Sequence, residues 1–146
     1  MTGKKFVFLL LLIISLILTT GLVSASTVDM AGITFNIPES YGELENVSIN
    51  GEVDEETQVI TYCKGYTGGL EDMIVIAVSY SIEDDSKFTL DEALNELGGP
   101  YTKKTINGHE GGFIQEEGNS TFTYVEDNKI VMIMSNNENL ITQVIV

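Results

Sequence analysis

Met73-Ile-Val-Ile-Ala-Val-Ser-Tyr80 is an eight-residue run without a charge, and it is apolar on both of its alternate faces. Successive side chains of a strand point to opposite sides of a sheet. A run of this kind therefore predicts a central strand covered on both sides. Ile130-Val-Met-Ile-Met134 reads the same way. Two central strands set the frame, and the rest of the chain must supply neighbours and covers.

Working outward, Ile33-Thr-Phe35-Asn-Ile37 alternates apolar and polar like a half-buried strand, and Pro38 ends it. Val28-Asp-Met30 with Ala31-Gly32 predicts the partner arm of a small hairpin. Residues 39–57 are polar and acidic, which reads as a long connection with one short strand. Thr57 to Tyr62 is the next strand, joined to the central run through Lys64-Gly-Tyr-Thr-Gly-Gly69, a glycine-rich loop. Tyr101 to Ile106 turns at Asn107-Gly108 into His109 to Gln115, a two-residue hairpin signal. Thr121 to Glu126 turns at Asp127-Asn128 into the 130–134 strand.

Two helices are signalled by caps. Thr89-Leu-Asp-Glu92 is a capping box, Phe88 precedes it as a staple against Ala93, and Gly98-Gly99-Pro100 stops the helix. Leu90, Ala93, Leu94 and Leu97 share one of its faces. Ser135-Asn-Asn-Glu138 reads as a second capping box, with Leu140, Ile141, Val144 and Ile145 as the apolar stripe behind it. The expected fold class is α+β: an antiparallel sheet of about six strands with one helix on each face, in three layers.

The first 25 residues read as an export signal. Lys4 and Lys5 form a positive start, Phe6 to Leu18 contains only Ser15 as a polar residue, and Val23-Ser24-Ala25 offers a small-residue cleavage site. An uncleaved membrane anchor over residues 6–23 is the alternative reading, although a spanning helix needs about 20 apolar residues. Both place residues 26–146, a single acidic domain, outside the cytoplasm, secreted or at the cell surface. Cleavage after Ala25 leaves five lysines, no arginine and all 22 acids, a net charge of −17. Such a body repels nucleic acid and anionic lipid, leaving the N-terminal segment as its only route to a membrane. Asn46-Val-Ser48 and Asn119-Ser-Thr121 match the N-glycosylation acceptor pattern. Cys63 stands alone, so no intramolecular disulfide staples the fold.

The export signal, Gly32-Ile-Thr-Phe-Asn-Ile-Pro38, Thr105-Ile-Asn-Gly-His-Glu-Gly111, Phe122-Thr-Tyr-Val-Glu-Asp-Asn-Lys129 and the Asn139-Leu-Ile…Val-Ile145 stretch together resemble small exported proteins of methanogenic archaea. Their arrangement is similar to the PsbP-like α-β-α sandwich. The resemblance implies an archaeal, exported protein in that fold, without an assigned activity. PsbP-like proteins are generally non-enzymatic partners of larger assemblies, which implies a binding role.

Chemical constellations are sparse. With one His and one Cys, a His- or Cys-rich metal site cannot be assembled within one molecule, and no zinc-protease, redox, nucleophile-elbow or phosphate-loop pattern occurs. Three function classes are therefore carried forward. The first is a non-catalytic exported domain that binds a protein or envelope component, with no catalytic, cofactor or metal residues and no cofactor. The second is a low-affinity Ca²⁺-binding module in the acidic stretches Glu52-Val-Asp-Glu-Glu56 and Glu83-Asp-Asp85. There Asn46, Ser48, Asn50, Gly51 and Asp54 shadow an EF-hand loop, but Thr57 stands where a bidentate Glu is needed. The third is an enzyme pairing Cys63 as nucleophile with His109 as base. Tyr41, Tyr62, Tyr66, Tyr80, Tyr101 and Tyr124 are candidates for a recognition surface, with Tyr66, between glycines, expected to be exposed.

Overall fold

The computed structural model describes residues 26–69, 72–83, 87–97 and 99–146. The export segment 1–25, Asp84 and Asp85 of the second acidic stretch, and Gly98 of the helix stop lie outside them. Among the described residues the chain forms β1 (Ser26–Met30), β2 (Ile33–Ile37), β3 (Gly42–Asp54), β4 (Val59–Thr67), β5 (Met73–Ser81), α1 (Leu90–Glu96), β6 (Thr102–Ile106), β7 (His109–Glu116), β8 (Asn119–Glu126), β9 (Lys129–Ser135) and α2 (Glu138–Val144). Strands β1 and β2 pair with each other, and the other seven form one antiparallel sheet in the order β3-β4-β5-β9-β8-β7-β6.

Four tight turns set the registers. Met30 pairs with Ile33, Ile106 with His109, Glu116 with Asn119, and Glu126 with Lys129, so each hairpin has a two-residue loop. Both loop residues have positive φ in every case: Ala31-Gly32, Asn107-Gly108, Glu117-Gly118 and Asp127-Asn128. That backbone matches the right-handed twist of the flanking strands. Asn107 does a second job. Its side-chain amide donates to the carbonyls of Thr142 and Ile145, each at 2.9 Å, and so ties the β6–β7 turn to the C-terminal end of α2.

One face of the seven-stranded sheet is the core. Ile74, Ile76 and Val78 of β5, Val131 and Ile133 of β9, Phe122 and Tyr124 of β8 and Phe113 of β7 project onto it, with Tyr66 of β4. The β1–β2 hairpin and α2 lie over this face together, burying Ile33, Phe35 and Ile37 from one and Leu140, Ile141 and Val144 from the other. Phe35 and Ile145 meet in an isolated bridge that joins the two covers.

The expected α+β sandwich, about six strands with one helix per face in a PsbP-like arrangement, is not what forms. The chain is mostly β. The sheet has seven strands, a separate hairpin supplies half of the core cover, and each helix is only seven residues long. Among the described residues the far face carries no full layer: α1 rests at its β7–β8 end, where Leu94 fills the space left by Gly112, and Val47 of the β3 bulge covers Gly65. The physical reason is length. Two turns of helix cannot span a sheet whose seven strands at about 4.8 Å spacing are roughly 29 Å wide.

Three local expectations also change. The polar stretch 39–57 contains the longest strand, β3, which tolerates its composition because it is a bulged edge, with register shifts between Leu44 and Ser48 and between Asn50 and Glu52. The 64–69 loop is shorter than expected, since β4 continues to Thr67 and Tyr66 is buried in the core at 4% exposure. Helix α2 is capped by Asn137, whose side chain accepts from the Asn139 amide at 3.2 Å. Ser135 stays in β9, where its hydroxyl donates to the Met73 carbonyl at 2.7 Å. The Thr89–Glu92 capping box of α1 forms as its residues dictate, the Glu92 amide reaching Thr89 Oγ1 at 3.3 Å and the Thr89 amide reaching Glu92 Oε2 at 2.9 Å.

Candidate binding face

Cys63 and His109 are not brought together. Cys63 in β4 pairs in register with Ala77 and so faces away from the core. His109, at the start of β7, sits on the core side, its ring 4.6 Å from that of Tyr124, its Nδ1 3.7 Å from the Glu126 carboxylate and its Nε2 3.4 Å from the Val146 carbonyl. Strands β4 and β7 are four positions apart, about 19 Å. A thiolate–imidazole pair is not assembled, and burial pushes the Cys63 thiol up, away from the thiolate.

The EF-hand-like residues Asn46, Ser48, Asn50, Gly51 and Asp54 all fall within β3. Eight residue steps of strand spread them over roughly 25 Å, whereas a cation needs its oxygens within one coordination sphere. Asp54 instead accepts the amides of Glu56 at 2.9 Å and Thr57 at 3.4 Å, closing the turn before β4, and these bonds hold its carboxyl below the usual range. Among the described residues no three His, Cys, Asp or Glu side chains converge as a metal-holding group.

The tyrosines are mostly structural. Tyr124 is fully buried, and burial raises its hydroxyl well above the ordinary value. Tyr66 is pushed up to about 12, by burial first and by Glu43 second. Tyr41 packs where a side chain on Gly68 would stand and donates to Asp72 at 3.2 Å. Tyr62 and Tyr80 stack with ring centres 6.4 Å apart.

The far face of the sheet is the surface that the strand pattern leaves over. Register lines up Cys63, Ala77, Met132, Thr123 and Gly112 in one row across β4, β5, β9, β8 and β7. The next row is Gly65, Val75, Met134, Thr121 and Ile114, and a third runs Thr61, Ser79, Ile130 and Val125. Leu94 of α1 covers the Gly112 end. Beyond it, Val75, Ala77, Ile130, Met132 and Met134 are half-buried by one another and by their flanking strands. Where β8 begins and β9 ends, Ile114, Thr121 and Met134 line a depression of about 190 Å³ together with Glu116, Glu117 and Asn119. A second depression of about 300 Å³ opens beside α1, between Leu94, Asn95, Gly99, Pro100 and Tyr101. The Glu116 carboxylate stands between them, 3.8 Å from the position of a side chain on Gly99.

Charge is distributed unequally between the two sides. Lys64 pairs with Glu43 at 3.2 Å, Lys104 pairs with Glu138 at 3.0 Å and caps the Phe113 ring, and Lys129 approaches Tyr80, all on the core side. On the far face, register assigns Glu52 and Asp54 to β3, Glu110 and Glu116 to β7, and only Lys103, at the β6 edge, as a cation.

Comparison with family models, with curated proteins and with solved structures gives no match for this chain. The individual strands of this face are legible in the sequence; the face itself is not. Its signal was present in Val75, Ala77, Met132 and Met134, but an apolar row looks the same whether a layer covers it or a partner does.

Proposed function

We propose that residues 26–146 are an exported, non-catalytic domain that binds a protein or an envelope component at the cell surface. The observation that carries this reading is the far face of the sheet, whose rows of apolar side chains stop short of a covering layer among the described residues. Apolar surface left at the centre of a sheet, with carboxylates around it, is what an interaction site looks like. Export follows from the N-terminal segment, and the resemblance to small exported proteins of methanogenic archaea agrees with it. Asn46 is exposed at the break in β3, where a glycan would project without disturbing the core.

Two measurements test the reading. N-terminal sequencing of the protein isolated from its producing cell is expected to start at Ser26. Binding of the labelled protein to intact envelopes is expected to saturate and to be displaced by excess unlabelled protein. Retention in the cytoplasm with an intact N-terminus ends the export reading. Binding that stays proportional to concentration ends the receptor-like one.

A further inference from the structure

The far face is covered at its two ends, by Leu94 of α1 over Gly112 and by Val47 of the β3 bulge over Gly65, and the way α1 is seated suggests what completes the middle. Helix α1 docks through Leu94 into the space above Gly112, so this surface accepts the apolar edge of a helix at its β7–β8 end. The same two rows continue toward β4 through Thr123, Met132, Ala77 and Cys63, and through Thr121, Met134 and Val75. Methionine suits a surface that must adapt to an incoming side chain, because it is unbranched and polarisable. Carboxylates outnumber cations around these rows: Glu52 and Asp54 toward β3, Glu110 and Glu116 in β7 and Glu117 beside the depression lined by Ile114, Thr121 and Met134, against Lys103 at the β6 edge.

Resting on the binding reading above, we infer that this face docks a basic amphipathic helix of a partner protein, lying beside α1. Its apolar stripe covers Ala77, Met132, Val75 and Met134. One of its Lys or Arg side chains lays its aliphatic stem over Ile114 and Met134 and places its cationic head at Glu116 and Glu117. Charge selects this occupant over the others. A second copy of the chain brings another acidic face to an acidic face, and an anionic lipid surface meets the same repulsion. A single strand would seek a sheet edge, where its backbone groups find partners, whereas the element already seated on this face is a helix, α1.

The full chain, as processed by the expressing cell, is titrated with an 18-residue Leu/Lys amphipathic helical peptide and with a Leu/Gln peptide of the same apolar pattern. Cys63 lies in the first row, so its modification by a thiol reagent reports occupancy of this face directly. The Leu/Lys peptide is expected to bind saturably and to slow Cys63 modification several-fold, with the Leu/Gln peptide weaker by about tenfold. Glu116→Gln/Glu117→Gln, a change at exposed positions that leaves the core intact, is expected to weaken binding about tenfold, and Met132→Lys to abolish it. Ile82→Lys adds the same charge at an exposed site away from these rows and is expected to leave binding unchanged.

Equal binding by the Met132→Lys and Ile82→Lys proteins, or no protection of Cys63, overturns the inference. So does self-association or vesicle binding that Met132→Lys abolishes while the peptide has no effect. If Met132→Lys and the Glu116/Glu117 double variant still bind envelopes as the parent does, the domain binds through another surface, and only this inference fails. If the parent itself does not bind envelopes, the broader reading fails independently of the peptide result.

Discussion

Ile133 and Met132 are chain neighbours in β9 with similar apolar character, yet they live in different surroundings. Ile133 points into a core roofed by the β1–β2 hairpin and α2 and is fully buried, while Met132 points to the far face and is only half-buried. The same division runs through Ile76 and Ala77 in β5 and through Phe122 and Thr121 in β8. A strand that is apolar on both sides is thus evidence of a central position, and no guarantee that both sides are covered within the chain. Cover depends on elements far away in sequence, and here two of the three available covers share one face.

The sharpest way to break this comparison is to truncate both neighbours. Ile133→Ala is expected to cost about 4 kcal/mol, because a cavity opens where the surroundings cannot collapse. Met132→Ala is expected to cost about 1 kcal/mol, since solvent already reaches that side chain. Urea unfolding of the two proteins measures the gap, and equal losses would mean the far face is as closed as the core.

The adjacent glycines of β7 offer the next test. A side chain on Gly111 would run into the Thr123 carbonyl and the Phe122 ring, whereas one on Gly112 meets only the far end of Leu94. Gly111→Ala is expected to destabilise by roughly 3 kcal/mol through overpacking against backbone. Gly112→Ala should cost less than half of that, with Leu94 and α1 giving way. Hydrogen exchange should then show α1 loosened in the Gly112 variant and the β7–β8 pairing loosened in the Gly111 variant.

Alkali should distinguish the core side from the far side. The Tyr66 hydroxyl ionises at about 12 in the fold against 10.0 normally, so the neutral form is favoured by folding. Its contribution is complete below pH 10 and is lost as pH rises toward 12, which amounts to about 2 kcal/mol. Tyr66→Phe is expected to flatten the fall in melting temperature over that window. At neutral pH it should cost nothing, because the hydroxyl has no hydrogen-bond partner within the described residues.

The smallest effect belongs to Thr123, whose buried hydroxyl has no hydrogen-bond partner among the described residues. Thr123→Val keeps the shape and removes the unsatisfied group, so it should stabilise by about 1 kcal/mol in the same urea experiment. A loss instead would show that the hydroxyl is hydrogen-bonded in solution.

Much of the fold was legible because its signals are local. Asn107-Gly108, Asp127-Asn128 and Ala31-Gly32 turn where expected, and Thr89 and Glu92 cap each other as their spacing requires. Ile33, Phe35 and Ile37 alternate inward, and Leu140, Ile141 and Val144 form the buried stripe of α2. What escaped the reading was non-local. Polar β3 is a strand only because β4 pairs with it, and Tyr66 is buried only because β4 carries it into the core. The candidate face was invisible for the same reason, since Cys63, Ala77, Met132 and Thr123 come from four strands and become neighbours only through register.

By itself, the amino-acid sequence determined three of the four hairpin turns, the cap of α1, the central strands and the acidic character of the domain, because each follows from the conformational preference or charge of residues close in the chain. The tertiary structure alone decided which face of the sheet would be roofed and which left open. That choice depends on where a short hairpin and two short helices come to rest, and their burial free energy exists only once distant strands have assembled a surface to cover.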